Sequence, residues 1–345
     1  MAKRSEKSGL TVMIPAYNEA ASIGDTIRSL QQQTRAPDEI IVIDDCSTDA
    51  TADVASALGV KVLRPPHNTG SKAGAQMFAL GEVSTTMVMA LDADTTLSPD
   101  AIEQLLPAFA EPEVVAACGS VFPRHVRTIW ERGRYVEYML AFGFFKRVQD
   151  HYGKPMISSG CFSIYRTEEL RKLGGWSTRT MAEDMDLTWT IYEAGMQVRF
   201  FPTAVSFPIE PHDFAFMGKQ LRRWSHGFIQ NVRLHRRSLL RCGYLRSTVA
   251  VAFWDALLAS FAYLVLIPVL AVAIDPLILL AYLIDAPVVM VPVIWQAVQR
   301  RETGRALLSL PGFFVLRVVN GAFMLRAFWN EMVVGRPLRV YEKGH

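Results

Sequence analysis

The sequence predicts an α/β domain built on a mainly parallel sheet, followed by interfacial and then transmembrane helices. Three observations carry that expectation. Short apolar runs alternate with stretches of helical periodicity from residue 10 onward, the pattern of parallel strands joined by right-handed crossovers. Three of these runs end in carboxylates, so one rim of such a sheet collects acidic groups at the place where open α/β sheets hold ligands. The hydrophobic excess, 50% of residues with a mean hydropathy of +0.18, is concentrated toward the C-terminus.

Residues 10–15 (LTVMIP) are apolar and β-branched and read as the first strand, opening into Pro15-Ala16-Tyr17-Asn18-Glu19. Ile23, Ile27 and Leu30 recur at helical spacing within 20–33. Residues 39–43 (EIIVI) form a second strand, almost wholly apolar as a strand covered on both faces should be. It ends at Asp44-Asp45, and Ser47, Thr48 or Asp49 can cap the helix that starts near Ala50. A short strand over 60–63, a Gly- and Lys-containing loop over 68–74 and a helix over 75–80 lead to a fourth strand at 87–91, which ends in Asp92-Ala93-Asp94. Residues 114–121 read as another strand. Residues 130–148 set Trp130, Tyr135, Tyr138, Phe142 and Phe145 on a long helical pattern, an aromatic stripe read as core. Ser158-Ser159-Gly160-Cys161-Phe162 opens a strand ending at Arg166. A Gly174-Gly175-Trp176 turn then precedes a helix with Leu187, Trp189, Ile191 and Tyr192, whose first turn holds Ala182 and Glu183.

A net charge of +3 is too small to point to nucleic acid. No G-x-G-x-x-G follows the first strand and no G-x-x-x-x-G-K-[ST] occurs, which disfavours a dinucleotide dehydrogenase and a P-loop NTPase. Cys46, Cys118, Cys161 and Cys242 are widely spaced, so neither a zinc site nor a disulfide framework is indicated and a reducing cytosolic face is expected. The basic start MAKRSEKSG leads into a strand rather than a long apolar run, and is not expected to be a signal peptide. Asp92 and Asp94 would repel each other unless a cation intervened. Mg²⁺ or Mn²⁺ is the natural candidate, since either takes oxygen ligands from one or two carboxylates and from a substrate's phosphates. The plainer reading is a polar strand end that caps the next helix.

The motifs PAYNE, DDCSTD, NTGSKAGA, Asp-x-Asp, SGCFSIYR, LGGW, AEDMDLTW and QLRRW stand in the order found in family 2 inverting glycosyltransferases. The chain resembles in particular the membrane-embedded synthases of β-linked polysaccharides: hyaluronan, chitin, cellulose and poly-N-acetylglucosamine synthases. The resemblance runs through 10–224 as motifs and beyond that only as a hydrophobic pattern. It implies a nucleotide-diphospho-sugar transferase (GT-A) fold, with a cytosolic domain over 10–212 after a tail at 1–9. Ala16, Tyr17 and Glu19 would lie near the nucleoside, and Asp45 would be the uracil contact of its pair. Cys46 stands where glycine is common. Lys72 would face the nucleotide and its diphosphate, Asp92 the ribose or donor sugar, and Asp94 the metal. Cys161 falls in a loop that would lie against the acceptor. Asp184, next to Glu183, would be the general base of a single displacement, which needs one base on the acceptor hydroxyl and a cation on the leaving diphosphate. Gln220, Arg223 and Trp224 match a Q-x-x-R-W signature, with Arg223 pairing the diphosphate and Trp224 stacking on the acceptor. Leu221 departs from the residue common there, which weakens the inference of processivity more than that of transfer.

The same segment, 213–245, reads independently as amphipathic interfacial helices, with Met217, Leu221, Trp224 and Phe228 on one face and Arg222, Arg233, Arg236, Arg237 and Arg241 supplying charge toward anionic lipid. In the membrane region, 246–345, residues 249–274 are long enough to span a bilayer, which needs about 20. Residues 276–298 are a second candidate despite Asp285, Pro287 and Pro292. The flanking arginines predict a hairpin with both flanks cytoplasmic. A third stretch, 307–334, carries Arg317, Asn320 and Arg326, which favours a protein-lined or interfacial helix, or a span facing a polar cavity. The basic tail after it is expected on the cytoplasmic side. Two or three helices close no channel, so either chains associate as homo-oligomers, or the product is short, or the acceptor is lipid-linked. The expected activity is transfer from a UDP-sugar, UDP-N-acetylglucosamine or UDP-glucose, to a β-linked saccharide. Transfer of one sugar to a polyprenyl phosphate is the alternative, and a non-catalytic membrane scaffold or transporter is the reading from another class.

Overall fold

The computed structural model describes residues 7–284 and 286–340; the expectations that fall on 1–6, on Asp285 and on 341–345 lie outside the described residues. In chain order the elements are β1 (Lys7–Ala16), α1 (Ile23–Gln31), β2 (Glu39–Asp44), α2 (Thr51–Ala57), β3 (Lys61–Leu63), α3 (Lys72–Leu80), β4 (Thr85–Leu91), β5 (Thr96–Leu97), α4 (Ala101–Leu105), β6 (Val114–Val121), α5 (Ile129–Leu140), α6 (Lys146–His151), β7 (Phe162–Arg166), α7 (Thr167–Lys172), α8 (Glu183–Glu193), β8 (Gln197–Phe207) and α9 (Phe214–Leu234). The helices α10 (Arg236–Leu239), α11 (Gly243–Phe253), α12 (Ile267–Ala273), α13 (Ala286–Gln299) and α14 (Thr303–Phe328) follow. The chain divides into two compact units. One holds the residues up to Arg124 with Asp150–Ile209, and the other holds His125–Gln149 with the residues from Glu210 onward.

The first unit is built on an eight-stranded sheet in the order β3-β2-β1-β4-β7-β6-β8-β5. Its left half is parallel, as the apolar runs predict: Val12, Met13 and Ile14 of β1 are fully buried because helices cover both faces. Ile23, Ile27 and Leu30 of α1 are fully buried against the same core, each such side chain contributing about 1.5–3 kcal/mol by leaving water.

The sheet is not parallel throughout. β7 runs antiparallel to both β4 and β6, and β5 antiparallel to β8. The reversal sets the start of β7 beside the end of β4, with Phe162 opposite Leu91. β6 and β8 are parallel to each other and again end on the rim where β1, β2 and β4 end. Every residue of β6 is buried. Gly119 is required there, because a Cβ at this position would strike the carbonyl oxygen of Ala204 and the ring of Phe162.

In the second unit α5 continues through a wide π-type turn, Ala141–Phe145, into α6. The aromatic stripe is accordingly only partly core. Tyr135 and Tyr138 are buried, but Phe145 is exposed, because it lies in the widened turn, where the regular helical spacing of the stripe is lost. α5 crosses α14 closely: a Cβ on Gly133 would lie 2.6 Å from the carbonyl oxygen of Gly312. Three helical stretches, Gly243–Ala273, Pro276–Gln299 and Thr303–Val334, are long and apolar enough to cross a membrane. Two polar residues of the third are engaged within the unit: Arg317 pairs with Asp255 at 3.1 Å, and Asn320 donates to Glu137 at 3.4 Å.

Gly119→Ala is expected to destabilise the protein by about 1–3 kcal/mol through overpacking. Gly81→Ala, at an ordinary helical φ with open space around it, should stay within about 0.5 kcal/mol of the parent. Thermal unfolding of the two variants beside the wild type measures both.

Candidate active site

The rim of the first unit is assembled from loops that brace one another. Ala16 ends β1, and its carbonyl accepts from Asp45 N at 2.8 Å. Tyr17 follows it, half-buried. Asn18 and Cys46 both adopt left-handed backbone, with φ of 56° and 63°. Cys46 thus keeps the turn that glycine would make more easily. The two turns are laced together: Asn18 N donates to Ser47 Oγ at 2.9 Å, and Thr48 N donates to Asn18 Oδ1 at 2.8 Å. Glu19 accepts from Ser22 at 2.7 Å while its own amide donates to Thr51.

Asp44 and Asp45 are both buried but differently partnered. Asp44 accepts from Ser47 N and lies 3.2 Å from the Arg64 guanidinium. Asp45 Oδ1 accepts from Thr69 N at 2.7 Å and its carbonyl from Asn68 at 2.7 Å, fastening the loop that leads to Lys72. Lys72 is not a loop residue. It opens α3, whose N-cap Ser71 accepts from Gly74 N.

At the end of β4, Asp92 and Asp94 are half-buried. Lys72 forms an ion pair with Asp92 and donates to the Gly160 carbonyl at 2.9 Å. Asp92 N lies 3.4 Å from the Cys161 carbonyl, a contact that follows from the antiparallel entry of β7. Asp94 Oδ1 accepts from Thr95, and its carbonyl accepts from Ile209 N at 3.3 Å and from Arg124 at 2.6 Å. Arg124 also approaches Asp25 at 3.7 Å.

Asp184 stands in the first turn of α8, beside half-buried Glu183. Its Oδ2 accepts from Gly160 N and its Oδ1 from Met185 N, each at 2.9 Å. Gly160 therefore ties Lys72 through its carbonyl and Asp184 through its amide. α8 braces the same loop elsewhere: Thr188 accepts from Ser158 N, Trp189 donates to the Met156 carbonyl and Tyr192 to the Pro155 carbonyl. The third acid of this helix, Asp186, is buried in a two-pronged pair with Arg179 at 2.7 and 2.8 Å.

Gln220, Arg223 and Trp224 belong to α9 in the second unit. Gln220 accepts from Arg134 at 2.6 Å. Trp224 lies under the Arg134 guanidinium, 4.5 Å from ring centroid to Cζ. Arg223 is half-buried on the same helix. Sequence reasoning passed over Arg64, Arg124, Arg134 and Arg179. No local motif marks them, since each earns its place through a partner that only folding supplies.

The family model described as "Glycosyl transferase family 2" matches residues 11–174. Among curated proteins, the poly-β-1,6-N-acetyl-D-glucosamine synthase of Staphylococcus aureus (strain COL) is 27% identical over 226 residues, covering 64% of this chain and 55% of the relative. The synthase of the same name from Staphylococcus epidermidis is 27% identical over 230 residues, covering 65% of this chain and 56% of the relative. The chain thus spans about half the length of the curated relatives it matches. Among solved structures, a mannosyltransferase from Pyrobaculum calidifontis in complex with GDP-Man and Mn²⁺ superposes with a TM-score of 0.66 at 19% identity, over 96% of this chain and 90% of that one. That likeness establishes the GT-A fold, and residues 11–174 of the chain are similar to glycosyl transferase family 2.

Proposed function

We propose that this protein is a membrane-anchored, divalent-metal-dependent inverting glycosyltransferase that transfers N-acetylglucosamine from UDP-N-acetylglucosamine to a growing β-linked saccharide. The observation that carries the reading is the chain of contacts from Asp92 through Lys72 and Gly160 to Asp184, which couples a donor-side carboxylate to a base candidate on the sheet rim. The choice of sugar draws support from the names of the curated relatives.

In this reading Ala16, Tyr17, Glu19 and Asp45 hold the uridine, and Asp92 orients the ribose or donor sugar. Lys72 and Arg223 bear on the diphosphate. Cys161, Gln220 and Trp224 serve the acceptor. Asp184 takes the proton of the acceptor hydroxyl as that oxygen attacks the anomeric carbon, and UDP departs with the bond's electron pair. Glu183, in the same helical turn, adds negative charge that favours the proton's transfer to its neighbour. Asp186 takes no part, because Arg179 neutralises it.

A divalent cation suits the donor set. Among the described residues no three His, Cys, Asp or Glu side chains group into a metal cage. The protein would offer the Asp94 carboxylate, with phosphate and water oxygens completing the shell as Mg²⁺ and Mn²⁺ commonly require. Such an ion, when bound, stabilises charge on the leaving diphosphate. The catalytic unit faces the cytoplasm, where nucleotide sugars are made, and the bilayer anchors it.

Purified protein in lipid, given UDP-N-acetylglucosamine and Mn²⁺, should release UDP and lengthen a β-linked saccharide seen by mass spectrometry. One sugar on a polyprenyl phosphate would instead establish single transfer, and absence of turnover with every sugar nucleotide would leave a scaffold. Asp184→Asn should bind UDP within about twofold of wild type by calorimetry and lose about 10²–10⁴-fold in turnover. Gly160→Ala, whose new Cβ would fall 2.9 Å from Asp184 Oδ2, should lose about 10²-fold with donor affinity kept. Asp94→Asn should raise the Mn²⁺ concentration that supports UDP binding by about tenfold or more, read by calorimetric titration rather than by activity.

A further inference from the structure

Arg134 of α5 is fully buried, and the donor chemistry makes no use of it. Its Nη2 donates to Gln220 at 2.6 Å and lies 3.2 Å from Met217 Sδ, and its Nη1 donates to Glu137 at 2.6 Å. Its Nε lies 3.5 Å from Glu210, whose carboxylate also accepts from Tyr138 at 2.7 Å. Burial alone would depress the guanidinium's pKa, but Glu137 and Glu210 raise it above the ordinary value, so the group is permanently charged. Burial pushes the Glu210 carboxyl up, and Arg134 opposes that rise.

The guanidinium carbon of Arg134 lies over the Trp224 ring, 4.5 Å from its centroid. Trp224 is nevertheless 37% exposed, so part of it stays open to a ligand while Arg134 holds the ring. Gln220 and Trp224 stand four residues apart on one face of α9, and a single side chain grips both. The Gln220 oxygen, engaged with Arg134, thus helps orient the helix face. A lysine could neutralise the carboxylates, but it has neither the planar fork nor the flat surface that fixes a ring.

We infer that Arg134 is a positioning residue for the saccharide acceptor: it sets the plane of Trp224 so that the open face of the indole stacks on a sugar ring. The inference rests on the acceptor role proposed for Trp224. Arg134 itself touches no substrate.

The test titrates the full chain in lipid with β-linked N-acetylglucosamine oligosaccharides, following UDP release, and separately follows donor hydrolysis without acceptor. Arg134→Lys should raise the acceptor KM about tenfold and leave donor KM and acceptor-free hydrolysis within about twofold. Trp224→Ala should raise the acceptor KM at least as far. In a double-mutant cycle the combined variant should be no worse than Trp224→Ala alone, because one variant acts through the other's residue. Losses that multiply, or an acceptor KM in Arg134→Lys unchanged while Trp224→Ala raises it, would overturn the inference. An unchanged acceptor KM in Trp224→Ala would overturn the platform itself, and with it the role of Arg134. If Arg134→Lys does not fold, Gln220→Met, which removes one arm of the grip, should still raise the acceptor KM several-fold, and no rise overturns the inference.

Discussion

Like charges gathered on one rim repel, and the first unit is arranged around that repulsion. The acidic side chains meet different fates. Some are held by a cation: Asp44 by Arg64, Asp92 by Lys72 and Asp186 by Arg179. Others are fastened through backbone amides, Asp45 by Thr69 and Asp184 by Gly160 and Met185, while Asp94 accepts from the Thr95 hydroxyl. An amide holds a carboxylate in place while leaving its negative charge intact. A lysine or arginine cancels that charge. The division therefore concentrates usable negative charge at chosen positions on a rim that would otherwise fly apart.

The same economy appears in the second unit. Arg134, Glu137, Glu210, Tyr138 and Gln220 form a buried polar cluster, and such clusters are strongly destabilised when one charged partner is deleted, by about 3–5 kcal/mol. Arg317 and Asn320 of the third membrane-length helix are engaged likewise, by Asp255 and Glu137. Their presence in an apolar stretch, read from the sequence as favouring a protein-lined or polar-facing helix, is answered by these intramolecular partners.

Much of the rim was legible because it is written in short range. An apolar run ending in Asp is visible in the sequence, and β1, β2 and β4 end where those runs end. What escaped is long-range. The direction in which β7 pairs leaves no local trace, yet that reversal brings Gly160 and Cys161 beside Asp92. Glycines on either side of Lys72 suggest a loop, whereas Ser71 before it is the helix cap that the structure uses. Arg124 and Arg134 could not have been found this way, since their partners lie far away in sequence. The aromatic stripe of 130–148 misled because periodicity assumes a uniform turn, and the turn at Ala141–Phe145 is wider.

The threading of β6 bears on how the domain is born. Its eight residues are all buried between β7 and β8, and the register runs from Val114 to Gln197 and from Val121 to Ser206. As the chain leaves the ribosome, β6 emerges with neither neighbour made, and a long helical segment, 129–151, must appear before either arrives. The hydrophobic strand therefore waits with both edges open, a state prone to mispairing. The last neighbour, β8, brings the amide of Ile209 to the carbonyl of Asp94. Closure of the acidic rim is thus a late event of synthesis, and the segment 11–174, ending before β8, holds too little of the sheet to complete it.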